Sequence, residues 1–169
     1  MWESGGDEPD DEFDTRVDYV SSNEVIDGKL WIGSAEAARV SSEDSLLVAK
    51  NIKCILSIGE SPHCYAYQDY RHLRYKRLVA DDDVSEVRLA ERFHEAADWI
   101  HANLDQRVLV HCQAGQSRSA AIVLAYLMKY QDMSYEQAFE RLRSVRPQVE
   151  PNVGFVRQLK VFEQRVRAK

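Results

Sequence analysis

Cys112 and Arg118 stand six residues apart, joined by Gln113-Ala114-Gly115-Gln116-Ser117 and followed at once by Ser119. An ionised cysteine is a strong nucleophile. A guanidinium presents a planar fork that matches two oxygens of a phosphate. Held across a short loop of small residues, the pair fits attack of sulfur on phosphorus, with loop amides gathering the phosphate oxygens. Gly115 permits the tight backbone path this needs, and Ser119 brings a hydroxyl within reach of the sulfur. The plain alternative is an inert core cysteine beside a solvated arginine. The flanking elements weigh against it.

Val108-Leu109-Val110 is a short apolar run rich in β-branched residues, the pattern of a buried strand. From Ala120 to Met128 the chain is apolar on nearly every face, which predicts a buried helix. Strand, tight loop and buried helix together form a cradle for an anion. Loop amides and the helix N-terminus converge there, and the helix dipole favours negative charge. The same surroundings favour thiolate over thiol at Cys112.

The run HCQAGQSRS followed by AYLM resembles the active-site signature of the dual-specificity protein tyrosine phosphatases: His-Cys, two residues, Gly, two residues, then Arg-Ser or Arg-Thr. The likeness extends over about residues 24–165. It opens on Ile26, the turn Asp27-Gly28 and Leu30-Trp31-Ile32-Gly33, and closes on Arg146-Pro147 through Asn152, Gly154-Phe155 and Gln158-Leu159 to Phe162-Glu163. The resemblance implies a small phosphatase of the atypical type. Phosphotyrosine is its substrate, with phosphoserine and phosphothreonine left open.

It implies a two-step route without metal or cofactor. Cys112 takes the phosphoryl group, an aspartate protonates the leaving oxygen, and the same aspartate then activates water against phosphocysteine. Ser119 stabilises the departing sulfur. Gln113, Ala114, Gly115, Gln116, Ser117 and Arg118 hold the phosphate, while His111 is a buried residue that tunes Cys112. In the family the acid lies after the strand that precedes the long helix, where Asp81, Asp82 and Asp83 compete. Counting back from Leu89 and Phe93 selects Asp83, placed first here. Counting forward along Tyr75–Ala80 selects Asp82, placed second, and Asp81 is the outsider.

The elements around the loop read as α/β: a central mixed sheet of about five strands with helices on both faces. Strands are expected at Lys29–Ser34, Ile52–Ile58 and Arg71–Val79, and helices at 35–40, from Ser42 to Lys50, and from about Ser85 to Asn103. Ser134-Tyr135-Glu136-Gln137 is a capping box opening a further helix with Tyr135, Ala138, Phe139, Leu142 and Val145 facing inward. Pro151-Asn152 opens the last, with Phe155, Leu159, Phe162 and Val166 inward.

The chain has 169 residues and a net charge of −6, with hydrophobic residues at 44% and charged at 30%, the balance of a soluble globular protein. The charge is uneven. Residues 1–14 hold seven acids and no Lys or Arg, and the 28 acids less these seven leave 21 against 22 basic residues. Residues 1–20 are therefore read as an acidic, disordered tail and 21–169 as one catalytic domain. No apolar run approaches a membrane span, and the start lacks the features of a signal peptide. Three cysteines, Cys54, Cys64 and Cys112, without CxxC spacing suit free thiols in a reducing compartment. The expected location is the cytoplasm, with the nucleus left open.

The expected partners are phosphoprotein substrates, protein kinases among them, and no nucleic acid; the oligomeric state is not legible. Gln113, Ala114, Gln116 and Ser117 are uncharged, which argues against highly charged substrates such as inositol lipids. Two other readings stand beside the main one. The first is a scaffold that docks phosphoproteins without turnover, and the second a phosphatase of a non-protein phosphomonoester.

Overall fold

The computed structural model describes residues 21–39, 45–65 and 72–168. Its elements in chain order are β1 (Ser22–Ile26), β2 (Leu30–Gly33), the short α1 (Leu46–Ala49), β3 (Cys54–Gly59), β4 (Arg74–Val79), α2 (Phe93–Asn103), β5 (Val108–His111), α3 (Arg118–Tyr130), α4 (Tyr135–Val145) and α5 (Val153–Arg167). Single 3-10 turns cover Ala35–Ala38, Ala90–Arg92 and Leu104–Gln106.

The five strands form one mixed sheet in the order β1-β2-β5-β3-β4. β1 pairs antiparallel with β2, and the other pairings are parallel. Thus β5 is central, with Gly33 of β2 and Ser57 of β3 both in register with His111. The alternation of side chains along the strands splits the core in two. Leu30, Ile32, Cys54, Leu56, Ile58, Val108 and Val110 face the layer built by α2, α3, α4 and α5. Trp31, Ile55 and Leu109 face the smaller layer that holds Ala37, Ala38, Leu47 and Leu73.

Every residue of α3 from Arg118 to Met128 is buried. Full burial of each Leu, Ile or Val there contributes roughly 1.5–3 kcal/mol, so the helix that starts at the loop is anchored along its length. The capping box of α4 forms as the sequence predicts: Gln137 N donates to Ser134 Oγ at 3.1 Å and Ser134 N to Gln137 Oε1 at 2.9 Å. Asn152 caps α5, its Oδ1 accepting from Phe155 N at 3.0 Å.

Three predicted helices are shorter than expected. The first, expected over 35–40, is the 3-10 turn Ala35–Ala38, ended by the extended backbone of Arg39. The second begins at Leu46 and is capped by Ser45 instead of Ser42, which lies outside the described residues. α2 begins at Phe93, not near Ser85. The cause is Glu86, a buried carboxylate that accepts from Asp81 N and Arg88 N, each at 2.7 Å. That closes the chain into a loop where a helix would need those groups elsewhere. The acidic tail, residues 1–20, lies outside the described residues. Among the described residues no helix is long and apolar enough to cross a membrane.

Candidate active site

The loop from Cys112 to Ser117 joins β5 to α3, and its four middle carbonyls all bond outward. Gln113 O accepts from Ala35 N at 3.0 Å and Gln116 O from Glu150 N at 2.8 Å. Ala114 O accepts from Arg146 Nη2 at 3.2 Å and Gly115 O from Arg146 Nε at 2.8 Å. A trans peptide holds its N–H opposite its C=O, and the described chain has no cis bond. The amides of residues 114–117 therefore turn toward the loop's own interior. There Gly115 N donates to Cys112 Sγ at 3.3 Å, and Ser119 Oγ lies 3.2 Å from the same sulfur.

Gly115 must be glycine on two counts. Its φ is +66°, and an added Cβ would sit 2.6 Å from the Gly33 backbone and 2.8 Å from Arg146 Nη2.

Arg118 is 5% exposed. Its Nη1 donates to Ala80 O at 3.2 Å and lies 3.6 Å from Glu60 Oε1, while Nε is buried without a hydrogen-bond partner among the described residues. An orphaned buried guanidinium N–H costs stability. Arg118 directly follows the loop in sequence, and an oxygen of a bound phosphate would satisfy that N–H.

His111 is fully buried, and burial pushes its pKa down to about 4. Its Nδ1 lies 3.1 Å from Cys112 O, which only accepts, so Nδ1 carries the proton. The ring is neutral at pH 7, and Nε2 accepts from Ser57 Oγ at 2.7 Å. Both nitrogens are occupied. The ring fixes the Cys112 backbone and has no site left to act as a base.

Because its folded pKa lies below the ordinary 6.5, the folded state resists protonation that the unfolded chain accepts. The resulting stability is present above pH 6.5 and lost as pH falls toward 4. It amounts to about 3 kcal/mol. NMR titration of the His111 ring should give a midpoint near 4, with Tm falling across the same window. A midpoint near 6.5 would contradict the assignment.

The three aspartates part company. Asp82 Oδ1 accepts from Ser117 Oγ at 2.6 Å and from Asn152 Nδ2 at 2.9 Å. Both bonds fall on one oxygen, Oδ1, and tie Asp82 to the end of the loop and to the start of α5. Asp83 instead closes its own turn, accepting from Ser85 N at 2.8 Å and from the Ser85 hydroxyl. The Ser85 hydroxyl bond holds its carboxyl below the usual range. Asp81 pairs with Arg88. The strand count reaches Asp82 because β4 stays in register with β3 through Gly59 and Val79, and Ala80 N still donates to Gly59 O. The helix count crosses Asp83–Leu89, a non-helical stretch that absorbs an extra residue.

Glu86 and α5 hold this acidic loop in place. The Arg88 side chain's hydrogen bond depresses the Glu86 pKa to about 2, so its carboxylate stays charged. Gln158 Nε2 donates to Glu86 O at 2.6 Å, and a Cβ on Gly154 would meet Val84 O at 2.2 Å.

Four participants carry no role in the sequence reading. Arg146, fully buried, braces the loop from behind and also reaches Asn23 Oδ1 at 2.8 Å. Asn152 ties α5 to Asp82. Tyr65 donates to Gln113 Oε1 at 3.2 Å and sets its ring edge-on to His111 at 4.8 Å. Glu60 faces Arg118. The signal for Arg146 and Asn152 lay in the closing segment of the resemblance. Glu60 and Tyr65 lie in the loop after β3, close enough in sequence to that strand's end to border the site, though neither residue stands out there by type or spacing.

The dual specificity phosphatase catalytic-domain model matches residues 30–165. The chain belongs to the dual specificity phosphatase family. It is 37% identical over 150 residues to a dual specificity protein phosphatase 1 of Arabidopsis thaliana, covering 88% of this chain and 71% of that protein. Against the dual specificity protein phosphatase 1 of Homo sapiens the identity is 37% over 141 residues, covering 82% of this chain but only 36% of the relative. Among solved structures, the human tyrosine phosphatase-like serine/threonine/tyrosine-interacting protein superposes with a TM-score of 0.75 at 32% identity. That match covers 85% of this chain and 95% of the other. Sheet, helices and loop are those of a cysteine-based protein-tyrosine/dual-specificity phosphatase.

Proposed function

We propose that the chain removes phosphate from phosphotyrosine, and from phosphoserine or phosphothreonine, in protein substrates through a phosphocysteine intermediate. The observation that carries this reading is the ring of inward amides closed by the unpartnered Nε of buried Arg118, with Cys112 Sγ at its floor. A phosphoryl group seated there presents phosphorus to the sulfur, and the fixed N–H groups meet the charge that spreads over its oxygens.

In the first step the S–P bond forms as the P–O bond to the substrate breaks, and Asp82 delivers its proton to the leaving oxygen. In the second, water attacks phosphorus, Asp82 takes the water's proton, and the S–P bond breaks. The Ser119 hydroxyl and Gly115 amide receive the negative charge on sulfur. Ser117 and Asn152 hold Asp82 over the loop throughout. Free thiols at Cys54, Cys64 and Cys112 support a reducing compartment, and we place the protein in the cytoplasm as a signalling phosphatase.

The test is hydrolysis of an aryl phosphate by pure protein with chelator present, followed by phosphopeptides. Turnover of the aryl ester and of phosphotyrosine peptides supports the proposal. Tight phosphopeptide binding without turnover would favour the scaffold reading, and hydrolysis confined to non-protein esters would favour the other alternative.

A further inference from the structure

The surroundings of the phosphate cradle are acidic where a phosphatase of heavily phosphorylated substrates would be basic. Glu60, in the loop that follows β3, has a side chain 68% exposed, yet its Oε1 lies 3.6 Å from Nη1 of buried Arg118. It therefore stands at the mouth of the arginine's cleft. It does not block the phosphate, because Nη1 is already committed to Ala80 O while Nε stays unpartnered inside. The loop itself offers no positive side chain at 113–117.

Among the described residues, Asp82, Asp83 and Glu150 have the same sign as Glu60, and Arg88 is already paired. Asp82 lies against Ser117, and the exposed Asp83 bonds Ser85 two residues on. The exposed Glu150 is tied by its amide to Gln116 O. Arg88 is committed to Glu86 and Asp81. His63 is exposed in the Glu60 loop, and the half-buried Cys64 and Tyr65 follow it there, both within reach of the Glu60 charge.

We propose that Glu60 is a substrate-selecting residue, whose carboxylate favours phosphopeptides with a basic side chain beside the phosphorylated residue. It disfavours those with an acid or a second phosphate there. This deepens the function proposed above and rests on it. The reasoning is electrostatic. A substrate whose phosphate fills the Arg118 cradle must bring its neighbouring residue past Glu60. That carboxylate is only loosely paired, and Arg118 will then share its charge with the phosphate. A flanking Arg or Lys gains a partner; a flanking Glu or phosphate meets a like charge.

The experiment compares kcat/KM on three phosphotyrosine peptides, alike except for Arg, Ala or Glu on both sides of the phosphotyrosine, with an aryl phosphate as reference. The parent should prefer the Arg peptide to the Glu peptide by about fivefold, the upper range of one exposed ion pair. The preference should flatten as salt is raised. Glu60→Gln should bring the ratio close to one, and Glu60→Lys should invert it.

Equal rates on all three peptides in the parent overturn the proposal while leaving the phosphatase reading intact. So does a uniform loss in Glu60→Gln with the ratio preserved, which would make Glu60 merely structural. Failure to hydrolyse even the aryl phosphate would overturn the phosphatase reading, and this proposal with it.

Discussion

Cys112→Ser is expected to lower turnover of any phosphate ester by at least roughly 10⁴-fold, the scale on which removal of a covalent nucleophile acts. The same variant should still bind phosphotyrosine peptide. The reason lies in what holds the cradle. The outward bonds of Gln113, Ala114, Gly115 and Gln116 run to Ala35, Arg146 and Glu150, not to the sulfur. Arg118 is likewise held by Ala80 O. Among the described residues only the contacts of Gly115 N and Ser119 Oγ involve Sγ, and a serine oxygen can accept both. Calorimetric titration with a non-reacting phosphopeptide should show binding within a few-fold of the parent. Loss of both binding and turnover would mean that the thiol supports the loop's shape and does not serve as its nucleophile alone.

The second large effect separates the aspartates. Asp82→Asn should slow poor leaving groups by about 10²–10⁴-fold, the usual worth of a positioned acid, and cost far less on aryl phosphates whose phenol is already acidic. Asp83→Asn should show no such dependence on the leaving group, because its carboxylate closes the Ser85 turn. A plot of log kcat/KM against leaving-group pKa should steepen for the first variant alone. Steepening for Asp83→Asn alone would restore the helix-based count and require the loop to rearrange when substrate binds.

That choice shows where sequence was enough and where it stopped. The strand–loop–helix around Cys112 was legible because three local patterns agree: β-branched residues before it, a glycine-bearing polar loop, and an apolar run after it. The five-stranded mixed sheet followed from the same patterns and the resemblance. The capping residues Ser134 and Asn152 were legible because a cap is a local interaction.

What escaped was long-range. Arg146 lies more than thirty residues beyond the carbonyls it braces, and an arginine after a helix ordinarily reads as solvated. Glu60 meets Arg118 only because β3 and β5 are neighbours in the sheet. The start of α2 was misjudged because apolar periodicity at Leu89 and Phe93 continues through a segment whose backbone Glu86 has already claimed. The helix-based count to Asp83 runs through that same non-helical stretch.

The central claim is that phosphate passes through Cys112. Ser119→Ala should slow hydrolysis of the intermediate more than its formation, because it removes a hydroxyl 3.2 Å from the departing sulfur. The intermediate should therefore accumulate. The direct measurement mixes this variant rapidly with an aryl phosphate, quenches it in denaturant during the first turnover, and locates phosphate by peptide mass spectrometry. The expected result is a burst of phenol matching one enzyme equivalent, with phosphate on the peptide that carries Cys112. A burst with phosphate on another residue, or phenol release with no burst and no labelled cysteine, would contradict it.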